Sequence, residues 1–235
     1  QSGSLLPSQQ QSSKSAIDTL AADDSRIQSI FAYGSWIWKP HFRYKELAIG
    51  IALGFSRQLF QGSFQDYGRP SWPGRIATIV PNPDSGVLGC LYQLSRRHAI
   101  EDIARADAHQ ATRGFHRSQL VVENCTTGKT ETCWVYIARK EEDNPYWLGR
   151  AEPSEIAFQV SQASGSRGPN LDYVRRLVDF VRLQTRGVID RDLDTKRVLR
   201  LATSENSNDQ RLQSPPPSQQ QQHLEYKRER EDDRD

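Results

Sequence analysis

Between residues 29 and 94 the sequence carries four apolar runs, SIFAYG (29–34), LAIGIALGF with RQLFQG (47–62), RIATIVPN (75–82) and GVLGCLYQL (86–94). Bounded by Gly, Pro and Asn and rich in β-branched and aromatic residues, they read as strands. The PNPDSG stretch (81–86) reads as a turn joining the last two. SQLVVEN (118–124) and TETCWVYIAR (130–139) form a further hairpin, with Gly128 supplying the bend. Helical signals are fewer. Ser95 caps a segment running to about Ala108, with Ile100 and Ile103 on one side. Pro153 opens a helix reaching about Ser164, and Asn170 to about Thr185 places Leu171, Val174, Leu177, Val178 and Val181 on one stripe. A strand-dominated body with three helices is an α+β fold, here a small mixed β-barrel, closed or half-closed, flanked by helices.

Only part of the chain can supply that core. The hydrophobic fraction of 36% is low for a compact globule, and the apolar residues concentrate between Ile27 and Ile189. Residues 1–25, rich in Ser, Gln and Ala, read as a low-complexity N-terminal tail, and 26–201 as the folded domain. Residues 202–235, with SPPPSQQQQ and YKREREDDRD, read as a Pro/Gln-rich and charged C-terminal tail. The tails are the expected contact points for protein partners. A start at Gln1 fits either the cytoplasm or presequence removal on import into a mitochondrion.

Composition also closes off several classes of function. The 31 basic and 29 acidic residues leave a net charge of +2, without the electrostatic footprint of a nucleic-acid binder. No apolar run approaches the ~18 residues of a membrane span. Cys90, Cys125 and Cys133 are odd in number and lack metal-ligand spacing, so they read as idle thiols. His41, His98, His109, His116 and His223 lack metal spacing too, and no G-x-S-x-G elbow presents a serine nucleophile. No metal site is expected.

One segment invites a chemical reading. In FAYGSWIWKP (31–40), Gly34 and Ser35 make a tight turn directly behind an apolar strand and ahead of two tryptophans. Such a turn can aim backbone N–H groups outward, where they hold a carboxylate or phosphate. The same residues also suit a plain structural turn. Lys39 is misplaced for a P-loop, and no second glycine precedes it.

Several blocks in order, YGSWIWKPHF (33–42), GFSRQLFQGSFQDYGRPSWPGRIATIV (54–80), GVLGCLYQL (86–94) and NPYWLGRAEPSEIAFQVSQASGSRGPNLDYVRRLVDFV (144–181), closely resemble the ChaC-type γ-glutamylcyclotransferases. The resemblance runs from about Ile30 to about Leu183. It implies a small β-barrel with helices and cofactor-free cleavage of glutathione into 5-oxoproline and Cys-Gly. It also implies a pocket for the γ-glutamyl group floored by Tyr33, Gly34, Ser35 and Trp36. Gln61, Gly62, Pro73, Gly74 and Arg75 would shape the wall, and Tyr173 matches a family position. In such a reaction the substrate's own α-amine attacks its γ-carbonyl, so a base and a few donors suffice.

The family's general base, a glutamate in an R-E motif, has no counterpart here. Counting back from Arg113-Gly114-Phe115, its position holds His109; starting from Arg105 instead reaches Ala106, beside Asp107. Glu101 lies too far up the helix. Trp36 replaces the usual leucine, with bulk able to fill the pocket floor, and Phe115 replaces a tyrosine. Two functions follow as expectations. One is a cyclotransferase fold with lost or impaired glutathione cleavage, kept as an interaction subunit of a larger assembly. The other is an active glutathione-specific enzyme using His109 or Asp107 as base.

Overall fold

The computed structural model describes residues 27–139, 144–184 and 193–212. Its centre is a closed five-stranded barrel, in the order β1 (Ser29–Ala32), β3 (Gly74–Gln93), β2 (Glu46–Ser63), β4 (Phe115–Asn124) and β5 (Thr130–Ala138). Neighbours are antiparallel except where β1 meets β5 in parallel, Ile30 opposite Trp134, which closes the ring. Closure removes the open edges that strands would otherwise expose.

The expected strands are present, but the last two of the four runs fuse into one longer element, β3. PNPDSG is not a turn. Leu53 pairs with Gly86 and Phe55 with Pro81, so residues 82–85 bulge opposite Gly54, which itself sits at φ 81°. Turn-forming residues thus bend one 20-residue strand instead of ending it. The β4–β5 hairpin is as expected, with pairing from Phe115↔Ala138 to Glu123↔Thr130.

Among the described residues, four α-helices flank the barrel. The first, α1 (Ala99–Ala111), starts later than expected: Ser95 supplies only its backbone carbonyl, to the His98 amide at 2.9 Å. Its Asp102 is fully buried and ion-paired to Arg43 at 3.2 Å. The second, α2 (Pro153–Gln162), opens with proline in its first turn, and the Glu155 carboxylate accepts the Glu152 amide. A two-residue hairpin, β6 (Ser164–Gly165) with β7 (Gly168–Pro169), leads into α3 (Asn170–Gln184).

Along α3 the stripe read from the sequence, Leu171, Val174, Leu177, Val178 and Val181, is buried. Burial on that scale stabilises by roughly 1.5–3 kcal/mol per large side chain. Leu171, Val174, Leu177 and Val178 pack with Phe31, Val87, Leu91, Val122 and Val135 of the barrel into one core, and Val181 packs with Ile51 and Leu88. The last helix, α4 (Leu193–Leu212), was not expected. The sequence boundary at 201/202 falls within it, and Ala202 is buried with Val198 and Leu199 against the same core. The low-complexity tails lie largely outside the described residues. Among the described residues no helix is long and apolar enough to cross a membrane.

Cys90 and Cys133 are buried free thiols whose pKa burial raises, to about 11 and about 12. At neutral pH both are protonated and inert.

Candidate active site

Where β1 leaves the barrel, Gly34 starts a one-turn 3₁₀ helix over Ser35–Ile37, with Ile37 N–H donating to Gly34 O at 3.0 Å. The Ser35 and Trp36 amides precede that first bond, as at any helix start. This turn lines a cavity of about 300 Å³. Its floor is fixed from below. Arg57, only 2% exposed, donates from Nε to Tyr33 O at 3.0 Å and from Nη2 to Leu88 O. Tyr33 donates its hydroxyl to Tyr136 O, and burial pushes that hydroxyl's pKa far up. Tyr173 Oη, 3.4 Å from where a Cβ on Gly34 would sit, accepts the Ala77 amide at 2.9 Å.

Of the residues proposed from sequence, Tyr33, Gly34, Ser35, Trp36, Gly62, His109 and Tyr173 all line this cavity. Trp36 does not plug it. The indole stands in the wall, edge-on to Phe42 and Tyr136, each at 5.2 Å, and its carbonyl accepts the Tyr92 hydroxyl at 2.8 Å.

Gln61 and Arg75 lie behind the wall. Gln61, fully buried, donates to Arg113 O at 2.6 Å and pairs with Asn144. Arg75 ties Gln159 of α2 to the carbonyls of Leu59 and Gly149. Both residues position wall segments instead of facing the cavity.

Asp107 also points elsewhere. Its carboxylate accepts the Tyr136 hydroxyl at 2.8 Å and pairs with Arg117 at 3.2 Å. Two residues apart on a helix turn side chains by roughly 200°, so His109 and Asp107 cannot share a face. Glu101 is tied up on the surface with Arg43 and Arg105.

His109 sits in the last turn of α1 with its ring stacked on His41, centroids 4.5 Å apart. Its Nδ1 is buried and has no hydrogen-bond partner. Burial, then the charges of Arg113, His41 and Arg167, hold its pKa down to about 4. His41 is lowered too, by burial and by Arg167, whose guanidinium lies 3.4 Å from His41 Nε2.

Sequence reasoning missed the charged rim. Asp66 pairs with Arg167 at 3.2 Å and Arg113 at 3.6 Å, and all three line the cavity. They come from three separate loops, and no local spacing links them. Among the described residues no cluster of His, Cys, Asp and Glu could hold a metal ion.

Residues 29–201 match the family described as ChaC-like protein. The chain belongs to that family. It is 32% identical over 176 residues to a glutathione-specific gamma-glutamylcyclotransferase 1 of Danio rerio, covering 74% of this chain and 89% of the relative. The human protein of the same description is 29% identical over 162 residues, covering 68% and 72%. The fold matches a solved yeast γ-glutamyl cyclotransferase specific to glutathione, with a TM-score of 0.66 and 22% identity, over 75% of this chain and 95% of that one. The barrel is therefore the γ-glutamylcyclotransferase-like fold expected from the ChaC resemblance.

Proposed function

We propose that this ChaC-like chain takes the γ-glutamyl end of glutathione into the cavity and closes it to 5-oxoproline, releasing Cys-Gly, at a rate impaired by the loss of the family's glutamate. The observation that carries this reading is the open cavity of about 300 Å³ with the Tyr33–Trp36 turn and His109 on its lining. Glutathione at neutral pH carries two carboxylates and one ammonium. The cavity offers two guanidiniums and one carboxylate, the complementary set. The enclosed floor supplies pre-set backbone donors to a developing oxyanion, so the site mainly has to fold the substrate and remove one ammonium proton.

His109 is badly placed to take that proton as a neutral base. Its surroundings oppose a positive charge, which is why its pKa falls to about 4 from 6.5. Loss of a positioned base typically costs about 10²–10⁴ in rate. The same observation favours a second reading, in which the barrel binds a γ-glutamyl peptide without turnover and serves as a subunit contacted through its tails.

The purified chain is tested by calorimetric titration with glutathione and by chromatographic detection of 5-oxoproline. Binding with product supports the enzyme, and binding without product supports the second reading. Neither binding nor product refutes the γ-glutamyl assignment of the cavity.

A further inference from the structure

The cavity holds a carboxylate that no motif announces. Among the described residues lining it, Asp66 is the one acidic side chain. We propose that Asp66 takes the proton from the α-ammonium of the bound γ-glutamyl group, while Arg113 and Arg167 exchange Asp66 for the ligand's carboxylates. This inference rests on the cyclotransferase reading above and supplies the acceptor that reading lacks.

Asp66 is built into place. Its loop, between β2 and β3, is clamped by the β6–β7 hairpin: Ser166 N–H donates to Gln65 O and Arg167 N–H to Asp66 O, both at 2.8 Å. Ser63 Oγ accepts the Tyr67 amide at 3.0 Å. The two segments approach so closely that a Cβ on Gly165 would stand 2.5 Å from Gln65 O and 2.6 Å from Gly68 N. Side chains larger than hydrogen cannot be accommodated there without moving the loop.

Its ion pairs, by contrast, are loose. Each arginine comes nearest Asp66 at Nε, at 3.2 Å and 3.6 Å, longer than the two-pronged contacts that make guanidinium–carboxylate pairs strong. Arg113 spends Nη1 on His109 O at 3.0 Å, and Arg167 places Nη2 against His41. A ligand carboxylate can take these guanidiniums at little cost and leave Asp66 facing the ammonium. An α-amino-acid head, with adjacent ammonium and carboxylate, matches this set of one carboxylate and two arginines. Asp66 is also the one acidic group acting on both His109 and His41, which places it beside the two rings.

The step balances without a co-reactant. One ammonium N–H proton passes to the Asp66 carboxylate, and the freed amine forms the new C–N bond at the γ-carbonyl carbon. The γ-amide C–N bond then breaks as Asp66 returns that proton to the departing Cys-Gly nitrogen, and the second proton shed by the new ring nitrogen passes through the same carboxylate to the released amine, leaving one N–H on 5-oxoproline and an ammonium on Cys-Gly. Asp66 is regenerated.

The test compares full-length wild type with Asp66→Asn, Asp66→Glu and Arg167→Gln, each checked for an unchanged thermal midpoint, in 5-oxoproline formation from glutathione and in calorimetric binding. Asp66→Asn should lower kcat by about 10² or more while glutathione still binds within tenfold. Asp66→Glu should recover part of that loss, and Arg167→Gln should raise KM more than it lowers kcat. Asp66→Asn within threefold of wild type, at normal fold, overturns the proposal. A wild type that binds glutathione but forms no 5-oxoproline overturns it too, while leaving the binding assignment standing. A wild type that does neither overturns both. If Asp66→Asn proves unstable, Asp66→Glu and His109→Ala decide: a folded Glu variant with partial activity beside an active His109→Ala chain supports the proposal, and a folded Glu variant without activity, or loss of activity in His109→Ala, refutes it.

Discussion

The floor of the cavity and its rim both carry arginine, but they use it in opposite ways. Beneath the floor, Arg57 is 2% exposed and bonded to the carbonyls of Tyr33 and Leu88. At the rim, Arg113 and Arg167 are partly exposed and meet Asp66 through single, long contacts. A guanidinium bonded to fixed carbonyls in a dry interior cannot leave without stranding them. One that shares a half-solvated carboxylate can exchange partners, because water and a ligand compete for it. The floor is thus a scaffold, and the rim is where selectivity and proton traffic can reside.

That contrast can be broken most directly at Arg57. Arg57→Ala removes both floor bonds and opens a void, so urea unfolding should show a loss of about 3 kcal/mol or more. An unchanged midpoint would mean the turn does not depend on its support. A smaller loss, about 1–3 kcal/mol, is expected for Tyr173→Phe, which strands the Ala77 amide without emptying volume.

At the rim the stability effect should be minor and the electrostatic one visible. Arg113→Gln should shift stability by less than about 1 kcal/mol. It should also raise the His109 titration midpoint from about 4 toward 6.5, read by NMR, because it removes the largest opposing charge after burial itself. A midpoint that stays put would mean burial alone sets it.

A further effect concerns acid. A histidine kept neutral in the fold, with its pKa below the unfolded value, binds fewer protons folded than unfolded. Its contribution to stability is therefore present above about 6.5 and is lost as pH falls toward 4. His109→Ala should flatten the urea-midpoint profile across that window relative to wild type, and an identical profile would show that His109 protonates without cost.

Much of the frame was legible because periodicity is local. The α3 stripe and the β4–β5 hairpin could be read from spacing alone, since each needs only neighbours in the chain. PNPDSG misled because a turn and a bulge use the same residues. Which one forms depends on whether β2 continues alongside, and it does, from Leu53 to Phe55. The helix α4 was missed since its few apolar side chains, Val198, Leu199 and Ala202, gain their meaning only against the core they cover.

The site divides in the same way. Tyr33, Gly34 and Ser35 were visible as a turn behind a strand, and the resemblance pointed to His109. Gln61 and Arg75 look alike in sequence whether they face a cavity or brace it from behind, and here they brace it. By itself, the sequence determined most of the strands, the buried face of α3 and the place of the glycine turn, because backbone propensity and hydrophobic period act over a few residues; the face of α1 was not among them, since Ile103 is buried but Ile100 is exposed. Only the tertiary structure decided that Asp66, Arg113 and Arg167, from loops far apart in the chain, meet at one rim, because charges are brought together by the closing of the barrel and not by their spacing.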